Sequence, residues 1–206
     1  CDKEIKDELI RQIQKQIKKQ LGSAPLNNKN YGKIINEKHF TRISNLINPD
    51  KVICGGDSNP KTLQISPTVM DHVTFQDAVM QEEIFGPVLP VLTYDSLDEA
   101  IVTVNSMAHP LALYIFTSDK DVASKVTSRC GFGGGCVNDT IIHLATSEMG
   151  FGGFGESGMG SYHGRDGFNT FSHFKSIVDK KTWLDLPMRY QPYRKIYEKL
   201  IRKFLK

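Results

Sequence analysis

QEEIFGPV, at residues 81–88, combines acidic residues, an aromatic residue and a Gly-Pro step in one short segment. Two carboxylates stand before an apolar pair, and a Gly-Pro step then leads into the apolar run of residues 88–93, which predicts a β-strand. The residue types alone leave two interpretations open. Glu82 and Glu83 can begin a helix with Phe85 in the core, or Glu83 and Phe85 can be presented together at a binding site.

On both sides of this stretch, short apolar runs alternate with segments of helical periodicity. Strands are predicted for residues 51–54, 63–66, 88–93, 111–116 and 133–138, and helices from Asp95 or Ser96 to about Met107 and from Ser118 or Asp119 to about Cys130. The last three strands therefore alternate with the two helices. This order predicts an α/β fold with parallel pairing in one layer.

The N-terminal region predicts two amphipathic helices. In the first, from Asp2 to Leu21, Asp2 can cap the start and Gly22 lies just past the end. The second runs from about Asn36 to Leu46. The predicted buried residues are Ile5, Leu9, Ile13, Ile17 and Leu21 in the first helix and Phe40, Ile43 and Leu46 in the second.

The composition restricts the class of function. A chain of 206 residues with 39% hydrophobic and 24% charged residues is typical of a globular protein, and no apolar run is long enough to cross a membrane. The net charge is only +3, and acids are interspersed with the basic residues, so a solvated surface is favoured over a nucleic-acid interface. The four cysteines form no CxxC pair, which disfavours a zinc cage or a thioredoxin-type motif, and so few cysteines in a chain of this length predict reduced thiols in the cytoplasm.

A glycine-rich motif resembles a dinucleotide fingerprint without its context. Gly150, Gly152 and Gly155 fit G-x-G-x-x-G, but that fingerprint binds a dinucleotide only where a strand enters it and a helix leaves it. The residues that follow, ESGMGS, are too rich in glycine to begin a helix readily. We therefore predict a shaped loop that closely approaches another group.

Cys136 and the histidines are further candidates for chemistry. A nucleophilic thiol needs a neighbouring base, and His143 follows Cys136 by seven residues. In a strand these two positions point to opposite faces, so Cys136 is interpreted as a small buried thiol. His143, His163 and His173 lack acidic partners at metal-ligand spacing and are interpreted as structural or loop histidines, so that no metal site is predicted.

Several motifs in order resemble the aldehyde dehydrogenase superfamily, from Cys1 to about Val178. Residues 82–87 resemble its E-E-I-F-G-P signature. The segments PLALY at 110–114, GCVND at 135–139, FGG at 151–153 and SGMG at 157–160 resemble its P-L-A-L strand, V-N strand, F-G-G turn and S-G-M-G loop. SYHG at 161–164, FSH at 171–173 and YGKII at 31–35 are similar to class 3, the dimeric branch that acts on fatty and aromatic aldehydes.

This resemblance implies an architecture and a site. Residues 1–170 would be the C-terminal part of a parallel-sheet catalytic domain, 171–187 would hold an oligomerisation strand at about Phe171–Val178, and 188–206 would be an amphipathic tail. Glu83 would hydrogen-bond the nicotinamide-ribose hydroxyls of NAD or NADP, and Phe85 would pack beside the nicotinamide ring. Phe151 would line the aldehyde tunnel, and Asn138, with the loop up to Leu144, would contribute to its wall.

The resemblance also implies where the remaining machinery lies. Cys1 matches a second, non-catalytic cysteine of the family, so the nucleophilic cysteine, the general-base glutamate and the nucleotide-binding domain are expected upstream of it. None of Cys54, Cys130 and Cys136 stands in the nucleophile's motif. We therefore expect the C-terminal portion of an NAD(P)-dependent enzyme that oxidises aldehydes to carboxylic acids, inactive by itself. The alternative is a non-catalytic oligomerisation or interaction module that retains the fold.

Partners and location follow from the same reasoning. Separation from an N-terminal half would leave a sheet edge and an apolar face uncovered, so we expect a homodimer or association with that half. Residues 193–206 predict a basic helix with two apolar ridges, Ile196, Leu200 and Phe204, and Tyr197, Ile201 and Leu205. Peripheral contact with an anionic membrane and docking onto the dimer both remain open for this helix, and the protein is expected in the cytoplasm.

Overall fold

The computed structural model describes residues 1–192 and 194–204. Helices and strands alternate through much of this part of the chain, as an α/β protein requires. The helices are α1 Lys6–Leu21, α2 Glu37–Leu46, α3 Leu97–Ser106, α4 Lys120–Arg129, α5 Gly164–Thr170 and α6 Lys195–Phe204. The strands are β1 Val52–Cys54, β2 Ser58–Asn59, β3 Gln64–Ile65, β4 Thr68–Met70, β5 Val88–Pro90, β6 Ala112–Ile115 and β7 Gly134–Val137.

The strands form three small sheets. The first has the order β1-β4-β5, with β1 antiparallel to β4 and β4 parallel to β5; β2 and β3 form an antiparallel pair; and β6 pairs with β7 in parallel. The parallel pair joined through α4 confirms one step of the predicted order. The prediction of a single layer is wrong for β5 and β6, because the N-terminal residues, rather than β6, lie beside the end of β5.

Backbone hydrogen bonds hold the N-terminal residues in that position. The Cys1 amino group donates to the Leu92 carbonyl at 2.7 Å, and the Tyr94 amide donates to the Cys1 carbonyl at 3.0 Å. Asp2 and Tyr94 form a parallel bridge. One edge of β6 pairs with β7. Residues of the N-terminal segment, α3, β6 and α4 together line an apolar groove of about 420 Å³.

Three predicted helix starts are confirmed by their caps. The Asn36 side chain accepts a hydrogen bond from the His39 amide at the start of α2. The Ser96 side chain accepts from the Glu99 amide at the start of α3, and the Asp119 side chain accepts from the Asp121 and Val122 amides at the start of α4. These side chains satisfy amides that have no partner within the helix. Local sequence was enough to locate these starts, since each cap acts within three residues.

The buried face of α1 agrees with the predicted one only in part. Ile10 is the buried residue of this helix, and it packs with Val69 and Val91, whereas Ile5 is 54% exposed. Residues 3–5 form a 3-10 turn, and its three residues per turn move Ile5 off the stripe of the following α-helix. Ile13 and Ile17 do contact this cluster. The position of β4 and β5 therefore decides which face is buried.

The larger core lies under α2. As predicted, Phe40, Ile43 and Leu46 are buried, and they pack with residues from three strands and from the turn at 78–80. The other buried members of this cluster are Ile65, Met70, Val73, Val79 and Val88. A second core joins α3, β6 and α4 through Ile101, Ile115, Val126 and Cys130.

The C-terminal region departs from the prediction. No strand forms over 171–178, and Phe171 is 93% exposed, because a strand needs a partner edge and none of the described residues offers one there. The predicted helix at 193–206 is confirmed over Lys195–Phe204 as α6, while residues 193, 205 and 206 lie outside the described part. Within the described residues, no helix has the length and apolar character needed to cross a membrane.

A partly buried ion pair ties α1 to the residue after β4. Lys6 Nζ lies 2.6 Å from Asp71 Oδ2, and the His72 amide donates to Asp71 Oδ1 at 2.7 Å. Burial opposes the ionisation of Asp71, but the Lys6 ammonium and the His72 amide outweigh it, so the pKa of Asp71 lies below its ordinary 3.8.

This depressed pKa predicts a loss of stability in acid. A carboxyl group with a lowered folded pKa stabilises the fold above its unfolded pKa, and the contribution disappears as the pH falls through the folded value. We therefore expect the thermal midpoint to fall between pH 5 and pH 2, and the Asp71→Asn variant to lose less over that range. Asp57→Asn, at an exposed position, is the matched control. An Asp71→Asn profile parallel to the unmodified one would contradict this assignment.

Candidate active site

The loop that carries Glu83 and Phe85 is held by an arginine from α2. Arg42 donates to the Glu82 carboxylate at 2.9 Å, to the Glu83 carbonyl at 3.3 Å and to the Ile84 carbonyl at 2.7 Å. One guanidinium thus fixes three consecutive residues, which its fan of donors permits. The Glu83 side chain is exposed, and among the described residues it has no hydrogen-bond partner.

Phe85 is presented to solvent in a strained conformation. Its ring is 78% exposed and its φ is 48°, a region that non-glycine residues seldom occupy. The next residue, Gly86, lies directly on the core, since a Cβ atom there would be 2.8 Å from Ile43 Cδ1. The loop is therefore seated on α2 and turned so that Phe85 points away from the core.

Asn138 directly follows β7, and its side chain joins this point to the segment that follows β6. Its side-chain carbonyl accepts from the Thr117 amide, and its side-chain amide donates to the Thr117 carbonyl, both at 2.8 Å. The residue has a φ of 59°, which turns the chain out of the strand. The Asn138 side chain therefore anchors the start of the loop at 139–144 to the Thr117 backbone.

Phe151 belongs to an aromatic cluster with His143, Tyr162 and His163. Its ring centroid lies 5.6 Å from that of His143, 5.8 Å from Tyr162 and 6.2 Å from His163. Phe151 and Tyr162 also pair as an isolated antiparallel bridge. The structure therefore brings Phe151 next to the loop that follows Asn138, whereas Glu83 and Phe85 lie on a different element, before β5.

The glycine-rich stretch forms the close-packed loop that was predicted. A Cβ atom at Gly152 would lie 2.1 Å from the Gly160 carbonyl oxygen, and one at Gly133 would lie 2.4 Å from the Gly152 oxygen. Only a 3-10 turn at Gly155–Ser157 follows the motif, and the next α-helix begins at Gly164. The geometry is that of a tight loop, without the helix that would face a pyrophosphate.

The prediction that Cys136 and His143 face opposite sides is wrong. Cys136 Sγ lies 3.6 Å from His143 Nδ1, and Cys136 is half-buried while His143 is buried. The alternation rule fails because β7 ends at Val137, and Asn138 and Ile141, both with positive φ, turn the chain back. Among the described residues, no three His, Cys, Asp or Glu side chains are grouped as metal ligands.

One residue of this region was missed by the sequence-based interpretation. Arg42 contacts the Glu83 loop from about forty residues away, and no local pattern marks it. His143 was considered, but its contacts with Tyr114, Phe151 and Cys136 could not be foreseen. Only the folded chain brings these groups together.

Comparison with known proteins identifies the family of this fold. The model described as "Aldehyde dehydrogenase family" matches residues 1–177. The chain belongs to the aldehyde dehydrogenase family. It is 43% identical to the 4,4'-diaponeurosporen-aldehyde dehydrogenase of Staphylococcus aureus over 98% of its length and 44% of that protein. It is also 43% identical to the dimeric NADP-preferring aldehyde dehydrogenase of Mus musculus, over 86% of the chain and 39% of that enzyme.

Solved structures of aldehyde dehydrogenases have the same fold. The structure titled "Substrate bound state of Staphylococcus Aureus AldH" matches the whole chain with a TM-score of 0.88 and 43% identity, and the match covers 45% of that chain. Betaine aldehyde dehydrogenase of the same species, in complex with NAD⁺, matches 82% of this chain and 36% of its own, with a TM-score of 0.70 and 25% identity. The chain thus spans less than half the length of these aldehyde dehydrogenases.

Proposed function

We propose that this chain is the C-terminal part of a class 3 aldehyde dehydrogenase that oxidises aldehydes to carboxylic acids with NAD or NADP. In this proposal, Glu83 and Phe85 contact the nicotinamide end of the cofactor, and Phe151 and Asn138 belong to the aldehyde tunnel. Class 3 is supported by the relatives named as family 3 members or as dimeric NADP-preferring enzymes.

The observation that carries the proposal is the presentation of Phe85. A strained backbone and a largely exposed aromatic ring both cost free energy, and such features concentrate at functional sites. Arg42 and the close contact of Gly86 with Ile43 fix this arrangement. A ring held in this way offers a flat apolar surface to a planar group.

The residues around Phe85 fit the nicotinamide riboside end of a dinucleotide. The Glu83 carboxylate is exposed and can accept from two neighbouring hydroxyl groups, while the Phe85 ring can pack on the nicotinamide. When bound, the cofactor would supply the acceptor for hydride. The contribution of this chain would be to orient the cofactor by one charged and one apolar contact.

The tunnel wall is proposed from the surroundings of Phe151. Its ring packs with His143 and Tyr162, and Asn138 fixes the start of the loop that carries His143. Phe151, Tyr162 and His143 thus provide an aromatic surface suited to fatty and aromatic aldehydes. A substitution of Phe151 by a smaller residue would reduce this aromatic surface and widen the tunnel.

We expect the 206-residue chain alone to produce no NAD(P)H from fatty or aromatic aldehydes. By its resemblance to the family, the nucleophile lies outside these residues, and the Cys130 thiol is buried, which raises its pKa. Absorbance at 340 nm would be followed with NAD⁺ and NADP⁺. Turnover by the purified chain above the rate without protein would refute this expectation.

A chimera provides the positive control for the proposed function. Here the chain replaces the matching segment of the Staphylococcus aureus relative, with which it aligns over 204 residues. If the chain is part of an aldehyde dehydrogenase, the chimera should oxidise aldehydes. A folded but inactive chimera would favour the alternative, a non-catalytic interaction module.

The apolar groove beside β6 supports association with another protein segment. Cys1, Ile5, Tyr94, Leu113 and Phe116 are among its lining residues, and Phe116 is 67% exposed. Burying such a surface together with a free strand edge stabilises an assembly. We propose that a second copy or the remaining part of the enzyme covers it.

We propose that the predicted amphipathic helix at residues 193–206 binds either the dimer of this chain or a membrane surface in the cytoplasm. In α6, Lys195, Lys199, Arg202 and Lys203 supply positive charge, which favours an anionic lipid surface. The full chain and a variant without residues 193–206 would be compared by light scattering and by co-sedimentation with anionic liposomes. We expect the full chain to be larger than a monomer. A monomeric full chain would contradict association, and equal pelleting of the two chains would dismiss membrane binding.

A further inference from the structure

Cys136 and His143 form a thiol–imidazole pair, and the proposed oxidation uses the ring of His143 as part of the tunnel wall but makes no use of proton transfer between the two groups. The Sγ atom of Cys136 lies 3.6 Å from Nδ1 of His143, which is within hydrogen-bonding distance for sulfur. A thiol becomes a better nucleophile when a neighbouring base can accept its proton. The pair therefore has the geometry of an activated cysteine.

The fold fixes both members of the pair. Cys136 lies opposite Tyr114 in the parallel ladder of β6 and β7. His143 is only 7% exposed, and its ring is held between Tyr114 at 5.8 Å and Phe151 at 5.6 Å. Gly134 leaves room for the imidazole, since a Cβ atom there would lie 3.0 Å from His143 Cδ2.

The second nitrogen of His143 lacks a partner. Nε2 is buried and, among the described residues, makes no hydrogen bond. A buried polar atom without a partner is destabilising and calls for an explanation such as an absent ligand. His143 and Cys136 both line a cavity of about 470 Å³, whose other walls include Ile142, Ala145 and Met149.

The other three cysteines have different surroundings. Cys1 and Cys54 pack against the cluster of Ile10, Val69 and Val91, and Cys130 is buried, which raises the pKa of its thiol. In the described part of the chain, Cys136 is the cysteine whose sulfur has an imidazole nitrogen within hydrogen-bonding distance. Cys1 and Cys54, which are also half-buried, can therefore serve as controls within the same molecule.

We propose that Cys136 is a site of covalent modification by α,β-unsaturated carbonyl compounds, with His143 as the proton carrier. The thiol proton passes from Sγ to Nδ1 as sulfur forms a bond to the β-carbon. The carbon–carbon π bond breaks, and its electron pair moves towards the carbonyl as an enolate. The imidazolium then returns the proton to the α-carbon, so that no oxidant or leaving group is needed.

Other chemistry fits the pair less well. A metal ion would need at least a third ligand, and the described residues contain no such group of three. A disulfide would need a second thiol and an oxidant. Conjugate addition needs only the thiol, the proton carrier and an apolar cavity, all of which are present.

The test uses cyclohex-2-enone, a conjugated ketone that an aldehyde dehydrogenase cannot oxidise, so its result does not depend on the proposed enzymatic function. The native chain is treated for increasing times, digested, and analysed by mass spectrometry with fragment spectra that separate Cys130 from Cys136. We expect Cys136 to be modified about tenfold faster than Cys1 or Cys54, and faster than in the same chain unfolded in urea.

His143→Gln removes the proton acceptor and keeps a polar side chain. We expect the modification of Cys136 to slow about tenfold in this variant, while Cys1 and Cys54 react at their original rates. Circular dichroism would check that the variant is folded. An unchanged Cys136 rate in a folded variant would overturn the proposal. If the variant does not fold, the comparison of the native chain with the urea-unfolded chain tests the proposal instead. Equal rates of Cys136 modification in the folded and unfolded chains would also overturn the proposal.

Discussion

Replacing Gly135 with alanine is expected to lower the free energy of unfolding by about 3 kcal/mol or more. A Cβ atom at this position would lie 2.0 Å from the Leu113 carbonyl oxygen and 3.4 Å from the Phe132 ring. Gly135 and Leu113 face each other in the β6–β7 ladder, so relief of the clash must separate the two strands. Urea denaturation followed by circular dichroism would measure the effect.

Gly167→Ala is the matched control for this substitution. Gly167 lies within α5, and a Cβ atom there would meet nothing within 4 Å. Alanine is favoured over glycine in a helix, so we expect this variant to be more stable by about 0.5–1 kcal/mol. Equal stabilities of the two variants would contradict the close approach of Gly135 to the Leu113 carbonyl.

Replacing Glu83 with glutamine in the active chimera should raise KM for the cofactor about tenfold or more. A hydrogen bond to a charged acceptor contributes about 1.5–3 kcal/mol, and tenfold corresponds to about 1.4 kcal/mol. Glutamine keeps the size of the side chain but removes its charge, and one of its two polar ends is a donor rather than an acceptor. Initial rates with varied NAD⁺ or NADP⁺ would measure the change.

Glu82→Gln separates cofactor contact from support of the loop. Glu82 forms a partly exposed ion pair with Arg42, and such pairs contribute little. Arg42 would still hold the Glu83 and Ile84 carbonyls, so we expect KM to remain within about twofold. If both variants raised KM equally, Glu83 would have no special role, and the proposed cofactor contact would be wrong.

Features governed by neighbouring residues were predictable. The caps Asn36, Ser96 and Asp119 act within three residues, and the buried stripe of α2 has the period of a helix. The motif at residues 82–87 likewise identified the family, whose model matches residues 1–177. In each case a short segment carries the information, because hydrogen bonds and side-chain spacing along one element determine the outcome.

Features that depend on a packing partner from elsewhere in the fold were not predictable. The sequence distinguishes an exposed from a buried helix face only by pattern. The positions of β4 and β5 made Ile10 the buried residue of α1, and Ile5, which begins the predicted stripe, lies in the 3-10 turn before the helix. The predicted strand at 171–178 does not form in the single chain, because strand formation requires a second backbone alongside. In both places the partner, rather than the segment itself, decides the structure.

The candidate site also combines features that local sequence predicts with features that only tertiary structure sets. The sequence by itself determined the family and the starts of α2, α3 and α4. Tertiary structure alone brought Arg42 to that loop and His143 to Cys136. Positive φ angles at Asn138 and Ile141 reverse the chain after β7, so two side chains that strand alternation would separate now lie 3.6 Å apart. Alternation holds only while the backbone stays extended, and residue types do not reveal where it ends.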